Sequence, residues 1–169
     1  MAYAAIANGG TLYVPQLVER VSAPDGTTVE EFQPRVRRRV HVDPEHLAYV
    51  IDSLYGVVND EIGTAHQARL DHPGDVTIAG KTGTAQIGGR IRSEEEATRA
   101  AYERRAHAWF AGFAPVEDPE VAIVVLVEHG GSGGRFAAPI AVQILQEYLG
   151  GREQATTAEA DVTRTAGAH

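Results

Sequence analysis

Val76-Thr77-Ile78-Ala79-Gly80-Lys81-Thr82-Gly83-Thr84-Ala85-Gln86 reads as a β-strand, entered after the breaker Pro73-Gly74 and ended by Gly88-Gly89. From Gly80 to Ala85 it places one cation, two hydroxyls and two glycines on a single strand. Strand interiors disfavour glycine, so these glycines point to a close approach to the backbone. Pleating sends Thr82 and Thr84 to one face and Lys81 to the other. All three can meet one anion only at a sheet edge, where the lysine stem can curl over. An edge strand also offers free N–H and C=O groups, to which an extended peptide can add as a further strand. The chemistry implied is recognition of a carboxylate at the end of an extended peptide.

Lys81 is the single lysine beside fourteen arginines. A lone lysine in such a background suggests a position where guanidinium does not serve: lysine is a compact point charge that can give up its proton, and arginine is not. Two blander readings compete. Gly80-Lys81-Thr82 looks like the end of a phosphate-binding loop, but that loop needs a glycine six residues before the lysine, where Asp75 stands, and it opens a helix rather than a continuing strand. A surface strand with a stray lysine is the other, since a three-residue motif recurs by chance.

The rest of the chain bounds the problem. Its 169 residues suffice for one domain with a core, and 43% are hydrophobic. The formal charge of -8 argues against a nucleic-acid partner. Without cysteine there is no disulfide framework and no thiolate metal site. The seven histidines form no metal or triad pattern, so neither metal nor cofactor is expected. No apolar run approaches a membrane span. Met1 to Ala7 reads as helix from its first residue, closed by Asn8-Gly9-Gly10: either a short helix with a frayed start, or a Met1 that is an internal methionine or a misplaced start.

Working outward, Thr11 to Val14 reads as a short strand ended by Pro15, and Leu17 to Ala23 as a second, followed by a turn at Pro24-Asp25-Gly26. Arg35 to Arg39 is a basic cluster, read as a solvated face. Asp43 caps a helix opened by Pro44, with Leu47, Val50, Ile51, Leu54 and Val58 as its apolar stripe; Gly63-Thr64-Ala65 lies in the turn after it. Ser93 and Glu96 have capping-box spacing for a charged helix from Glu94 to Arg105. His107 to Ala114 and Val121 to Val127 form an antiparallel hairpin. Gly130 to Gly134 is a flexible loop. A final helix runs from Ala137 to Leu149, with Ile140, Ile144, Leu145 and Tyr148 expected to face inward. Residues 1–150 form the folded part, and residues 151–169 read as a disordered tail. This order predicts an α+β fold, an antiparallel sheet flanked by helices.

Lys81-Thr82-Gly83 is one of three signatures of penicillin-binding proteins and serine β-lactamases. Nearly all of Met1 to Leu149 resembles that family. Met1 to Pro15 looks like the helix and strand leading out of its catalytic half. Tyr55-Gly56-Val57-Val58 with Gly63-Thr64-Ala65 resembles the segment before the active-site strand. His107-Ala108-Trp109-Phe110-Ala111-Gly112-Phe113-Ala114-Pro115 is similar to the next strand of class B penicillin-binding proteins, and Glu128-His129-Gly130-Gly131 through Ala137-Ala138-Pro139 to their last strand-to-helix turn. The likeness is greatest to the penicillin-binding protein 2 subfamily.

The resemblance implies the C-terminal part of a serine β-lactamase/transpeptidase-like fold. It implies a D,D-transpeptidase that cross-links peptidoglycan: a serine attacks the bond between two terminal D-alanines of a stem peptide, and the acyl group passes to an amine on a neighbouring stem. β-Lactams would trap that serine. Lys81 would hold the substrate carboxylate and help the proton relay, the Thr82 and Thr84 hydroxyls would bind the same carboxylate, and the Thr84 N–H would form half of an oxyanion hole. Gly83 would leave room for substrate backbone. Further implied partners are a lipid-linked glycan polymerase and rod-complex scaffold proteins. The implied location is the periplasmic face of the bacterial inner membrane, with the anchor outside this chain.

The departure is large. The nucleophile motif is Ser-x-x-Lys, and the residue three before the lone lysine is Ile78. Ser22, Ser53, Ser93 and Ser132 are the serines, and none has asparagine two residues on, so the second motif is absent too. This chain alone is therefore expected to be inactive and to supply the substrate-binding strand only. The competing readings are a non-catalytic penicillin- or peptide-binding sensor module, and a β-lactamase relative. A sheet lacking its N-terminal strands is also expected to expose an apolar face and an open edge.

Overall fold

The computed structural model describes residues 1–86 and 105–151. The expected Glu94 to Arg105 helix, apart from Arg105, and the tail beyond Gly151 lie outside the described residues.

A short helix α1 (Ala2–Ala7) leads into strand β1 (Thr11–Tyr13). Three further strands follow: β2 (Arg20–Ser22), β3 (Thr28–Glu31) and β4 (Val36–Arg39). They pair antiparallel as two separate ribbons, β1 with β4 and β2 with β3. Sequence patterning finds β1 and the turn at Pro24-Asp25-Gly26, marks β2 too long, and misses β3 and β4 as strands. Both missed strands are exposed throughout, so neither has a buried face to impose alternation. The basic cluster is indeed solvated, but it also forms an ordered strand.

Helix α2 (Pro44–Asn59) starts as its sequence dictates. Asp43 Oδ1 accepts a hydrogen bond from the Glu45 N–H at 2.8 Å, and Pro44 occupies the first turn. Of its apolar stripe, Val58 is fully buried, Leu47, Ile51 and Leu54 are half-buried, and Val50 is exposed. A second short helix, α3 (His66–Asp71), follows after the turn through Gly63-Thr64-Ala65.

The main sheet has three antiparallel strands in the order β5 (Ala79–Ala85), β6 (His107–Ala114) and β7 (Val121–Val127). A π-helical turn, Gly133–Ala137, then runs into helix α4 at residues 138–151. One sheet face carries Ala108, Phe110 and Gly112 opposite Val127, Val125 and Ile123. Against it pack Val58 of α2, Ala68 of α3, and Ala138, Ala141, Val142, Leu145 and Leu149 of α4, which together make the core.

Two expectations fail here. Val76 to Ile78 is not strand, because the Gln146 side chain on α4 occupies its backbone: Gln146 Nε2 donates to the Val76 carbonyl at 3.0 Å and Gln146 Oε1 accepts from the Val76 N–H at 3.3 Å. On α4, Leu145 faces inward as expected, but Ile140, Ile144 and Tyr148 are exposed. The π-helical turn that replaces the expected flexible loop at Gly133-Gly134 sets the helix phase, and small residues take the inward face, so the helix lies close to the sheet.

The opposite sheet face carries Trp109 with Leu126 and Ala111 with Val124 as cross-strand pairs. Trp109, Leu126 and Val124 remain exposed, and the outer edge of β7 has no strand partner among the described residues. This is the open apolar face and edge expected of a sheet without further strands.

The entry to the β6–β7 turn is tied to the segment before β5. Thr77 Oγ1 donates to Glu117 Oε2 and accepts from the Val116 N–H at 3.0 Å. The Thr77 hydroxyl is the largest influence holding the Glu117 carboxyl below its ordinary value. The stability it lends is therefore present above the unfolded carboxyl range and lost as pH falls through the folded value. Thr77→Val is expected to return Glu117 toward its ordinary titration, followed by NMR of the side-chain carboxyl; an unmoved titration would contradict the contact.

Candidate active site

β5 is the edge strand of the main sheet among the described residues, as the motif requires. Its register against β6 pairs Gly80 with Gly112, Lys81 with Ala111, Gly83 with Trp109 and Thr84 with Ala108. The glycines have separate reasons. A Cβ on Gly80 would fall 2.3 Å from Phe110 Cζ, so what approaches that backbone is the protein's own core ring. At Gly83 a Cβ would fall 3.3 Å from Trp109 Cβ; the close approach to its backbone is instead the reason for the glycine at Gly133, whose Cβ would lie 2.3 Å from the Gly83 carbonyl oxygen and 2.8 Å from its nitrogen.

Lys81 starts on the face opposite Thr82, yet its ammonium crosses the strand. Lys81 Nζ donates to the Thr82 carbonyl at 3.0 Å and to Thr82 Oγ1 at 3.4 Å. The long flexible stem makes this possible on an edge strand, where no outer neighbour blocks it. Thr82 Oγ1 also shares a hydrogen bond with Thr64 Oγ1 at 2.8 Å. Lys81 and Thr84 are exposed, while Thr82 and Gly83 are half-buried. No hydrogen bond joins Thr84 to Lys81 or Thr82 among the described residues; Thr84 shares their site only through its place on the strand.

The ammonium and the two hydroxyls of Thr82 and Thr64 form a polar cluster facing solvent. It can donate several hydrogen bonds to an arriving anion, and its positive charge is not matched by a carboxylate: among the described residues the only ion pair is Arg20 with Glu31. No group of three or more His, Cys, Asp or Glu side chains among the described residues could hold a metal ion. Thr64 is the site residue that sequence reasoning assigned no role. The only available signal was its hydroxyl within Gly63-Thr64-Ala65, sixteen to eighteen residues before the motif with nothing to show that the two segments meet.

Comparison with known proteins decides the family. The model of the penicillin-binding protein transpeptidase domain matches residues 1–146. The chain belongs to the penicillin-binding protein transpeptidase family. It is 38% identical over 142 residues to the peptidoglycan D,D-transpeptidase PbpA of Mycolicibacterium smegmatis, covering 81% of this chain and 26% of that protein. It is 35% identical over 127 residues to the peptidoglycan D,D-transpeptidase MrdA of Escherichia coli, covering 75% of this chain and 20% of that one. Among solved structures, the ceftriaxone acyl-enzyme complex of penicillin-binding protein A from Mycobacterium tuberculosis superposes with a TM-score of 0.66 at 33% identity, covering 85% of this chain and 29% of that one. PBP2 of Pseudomonas aeruginosa superposes with a TM-score of 0.63 at 31% identity, covering 87% and 28%. This transpeptidase-family chain thus spans about a quarter of the length of such relatives. Its helices and antiparallel sheet match their fold.

Proposed function

We propose that residues 1–150 are the C-terminal portion of a class B, penicillin-binding protein 2-type transpeptidase domain. The full-length protein, meaning this chain together with a segment that carries Ser-x-x-Lys, cross-links peptidoglycan stem peptides. The observation that carries this reading is the Lys81 ammonium folded across an edge strand onto the carbonyl and hydroxyl of Thr82. A peptide ending in a carboxylate would pair along β5 and receive Lys81 Nζ, Thr82 Oγ1 and Thr84 Oγ1 at that carboxylate. Its penultimate carbonyl would then lie at the Thr84 N–H, one of two donors needed for the oxyanion. Lys81 would also assist proton movement between the serine and the leaving amine.

Neither Ser-x-x-Lys nor the second signature motif occurs in this sequence; in this reading both are supplied by the segment that completes the domain. Relatives that carry the name peptidoglycan D,D-transpeptidase, and a relative captured as a β-lactam acyl-enzyme, support the substrate and inhibitor classes. No helix among the described residues is long and apolar enough to cross a membrane. The reading places the working enzyme at the periplasmic face of the inner membrane, held by an anchor outside this chain, beside a lipid-linked glycan polymerase and rod-complex scaffold proteins.

The full-length protein is expected to release D-alanine from a stem peptide ending in D-Ala-D-Ala, measured by a coupled D-alanine assay. Labelling by a fluorescent penicillin without any D-alanine release would instead support a non-catalytic binding module.

A further inference from the structure

A groove of about 570 Å³ with a mixed polar and apolar lining opens at Thr64, whose hydroxyl shares a hydrogen bond with Thr82. One wall is α3, with Gln67 and Asp71; the other is the turn into α4, with Ser132, Gly134 and Arg135. Gln67 Nε2 donates to Asp71 Oδ1 at 2.7 Å, which fixes the carboxylate and leaves its second oxygen and Gln67 Oε1 as acceptors. Across from it, the Arg135 guanidinium stands 5.8 Å from the Phe136 ring centroid and has no ion pair among the described residues. The groove therefore offers a cation on one wall and hydrogen-bond acceptors on the other.

Its position relative to the motif says which peptide could use it, and this argument rests on the transpeptidase reading above. There the reacting carbonyl sits at the Thr84 N–H and the carboxylate of the leaving residue at Lys81 and Thr82. The donor peptide ends at that carboxylate, so nothing of the donor extends past Thr82 toward Thr64. The attacking amine of the second stem must replace the leaving amine, because the transfer step retraces acylation in reverse. Whatever is attached to that amine then continues past Thr82, which is where the groove begins.

We propose that this groove is the acceptor subsite. It takes a peptide that carries the attacking amine and a free carboxylate. Arg135 and the Ser132 hydroxyl receive the carboxylate, and Asp71 and Gln67 Oε1 accept backbone N–H groups. In the step served, the neutral amine nitrogen forms a bond to the acyl carbon, the bond from that carbon to the serine oxygen breaks, and one amine proton passes to the serine.

The test uses the full-length protein, a D-Ala-D-Ala donor, and an amine-bearing acceptor peptide either with a free carboxylate or with that group amidated. Arg135→Ala is expected to leave penicillin acylation and hydrolytic D-alanine release within about twofold, while the ratio of cross-linked to hydrolysed product falls about tenfold or more with the free-carboxylate acceptor. The amidated acceptor should work poorly with the unaltered protein and should not be affected further by Arg135→Ala. Asp71→Asn should lower the same ratio with both acceptors. An unchanged product ratio, or a fall in acylation parallel to the fall in cross-linking, would overturn the acceptor assignment while leaving the reading of β5 intact. Absence of acylation in the unaltered protein would overturn the reading of β5 and this inference with it.

Discussion

Lys81→Ala in the full-length protein is expected to slow both acylation by a penicillin and release of D-alanine by on the order of 10²- to 10³-fold, the loss seen when one preorganised electrostatic partner is removed. Lys81 Nζ lies 3.0 Å from the Thr82 carbonyl and 3.4 Å from its hydroxyl, so the charge is already held where a carboxylate would arrive. Alanine removes both the charge and the proton carrier and leaves Thr82 and Thr84 with neutral donors only. Arginine keeps the charge but spreads it over a planar fork that cannot give up a proton, so Lys81→Arg should recover only part of the loss. Rates of both variants within about threefold of the unaltered protein would remove Lys81 from the site.

Gly133→Ala is expected to cost about 3 kcal/mol of stability and to impair acylation at the same time. A Cβ there would fall 2.3 Å from the carbonyl oxygens of both Gly83 and Trp109. These are backbone atoms of paired strands, fixed by the β5–β6 register, so they cannot swing aside as a flexible side chain could. The π-helical turn must lift instead, and it lifts from the strand that carries Thr82 and Thr84. Gly150→Ala is the control: nothing lies within 4 Å of its Cβ, so stability should stay unchanged or rise slightly. Denaturant unfolding of both variants of the full-length protein, paired with acylation rates, makes the measurement. A Gly133→Ala protein as stable and as reactive as the control would show that the turn does not rest on β5 as described.

Much of this architecture is legible in the sequence where a single local cause acts. β6 and β7 begin and end at the residues that the apolar runs and Pro115 indicate. Asp43 and Pro44 fix the start of α2 because cap chemistry is local. The edge position of Lys81-Thr82-Gly83 follows from asking how one lysine and two threonines on opposite faces could meet one anion. The remainder depends on contacts between distant residues. β3 and β4 are held by partners across the ribbons and carry no buried face to betray them. Val76 looks like strand but gives its backbone to Gln146, seventy residues on. On α4, large apolar side chains suggested the wrong inward face, since proximity to the sheet favours Ala138 and Ala141 there. Thr64 meets Thr82 only because α2 and α3 return the chain to the motif, which no spacing rule anticipates.

The most direct measurement is a crystal structure of the full-length protein acylated by a penicillin. The adduct's carboxylate should lie within about 3 Å of Lys81 Nζ, Thr82 Oγ1 and Thr84 Oγ1, with the acyl oxygen at the Thr84 N–H. A carboxylate bound elsewhere, with the Lys81 ammonium turned away into solvent, would contradict the account.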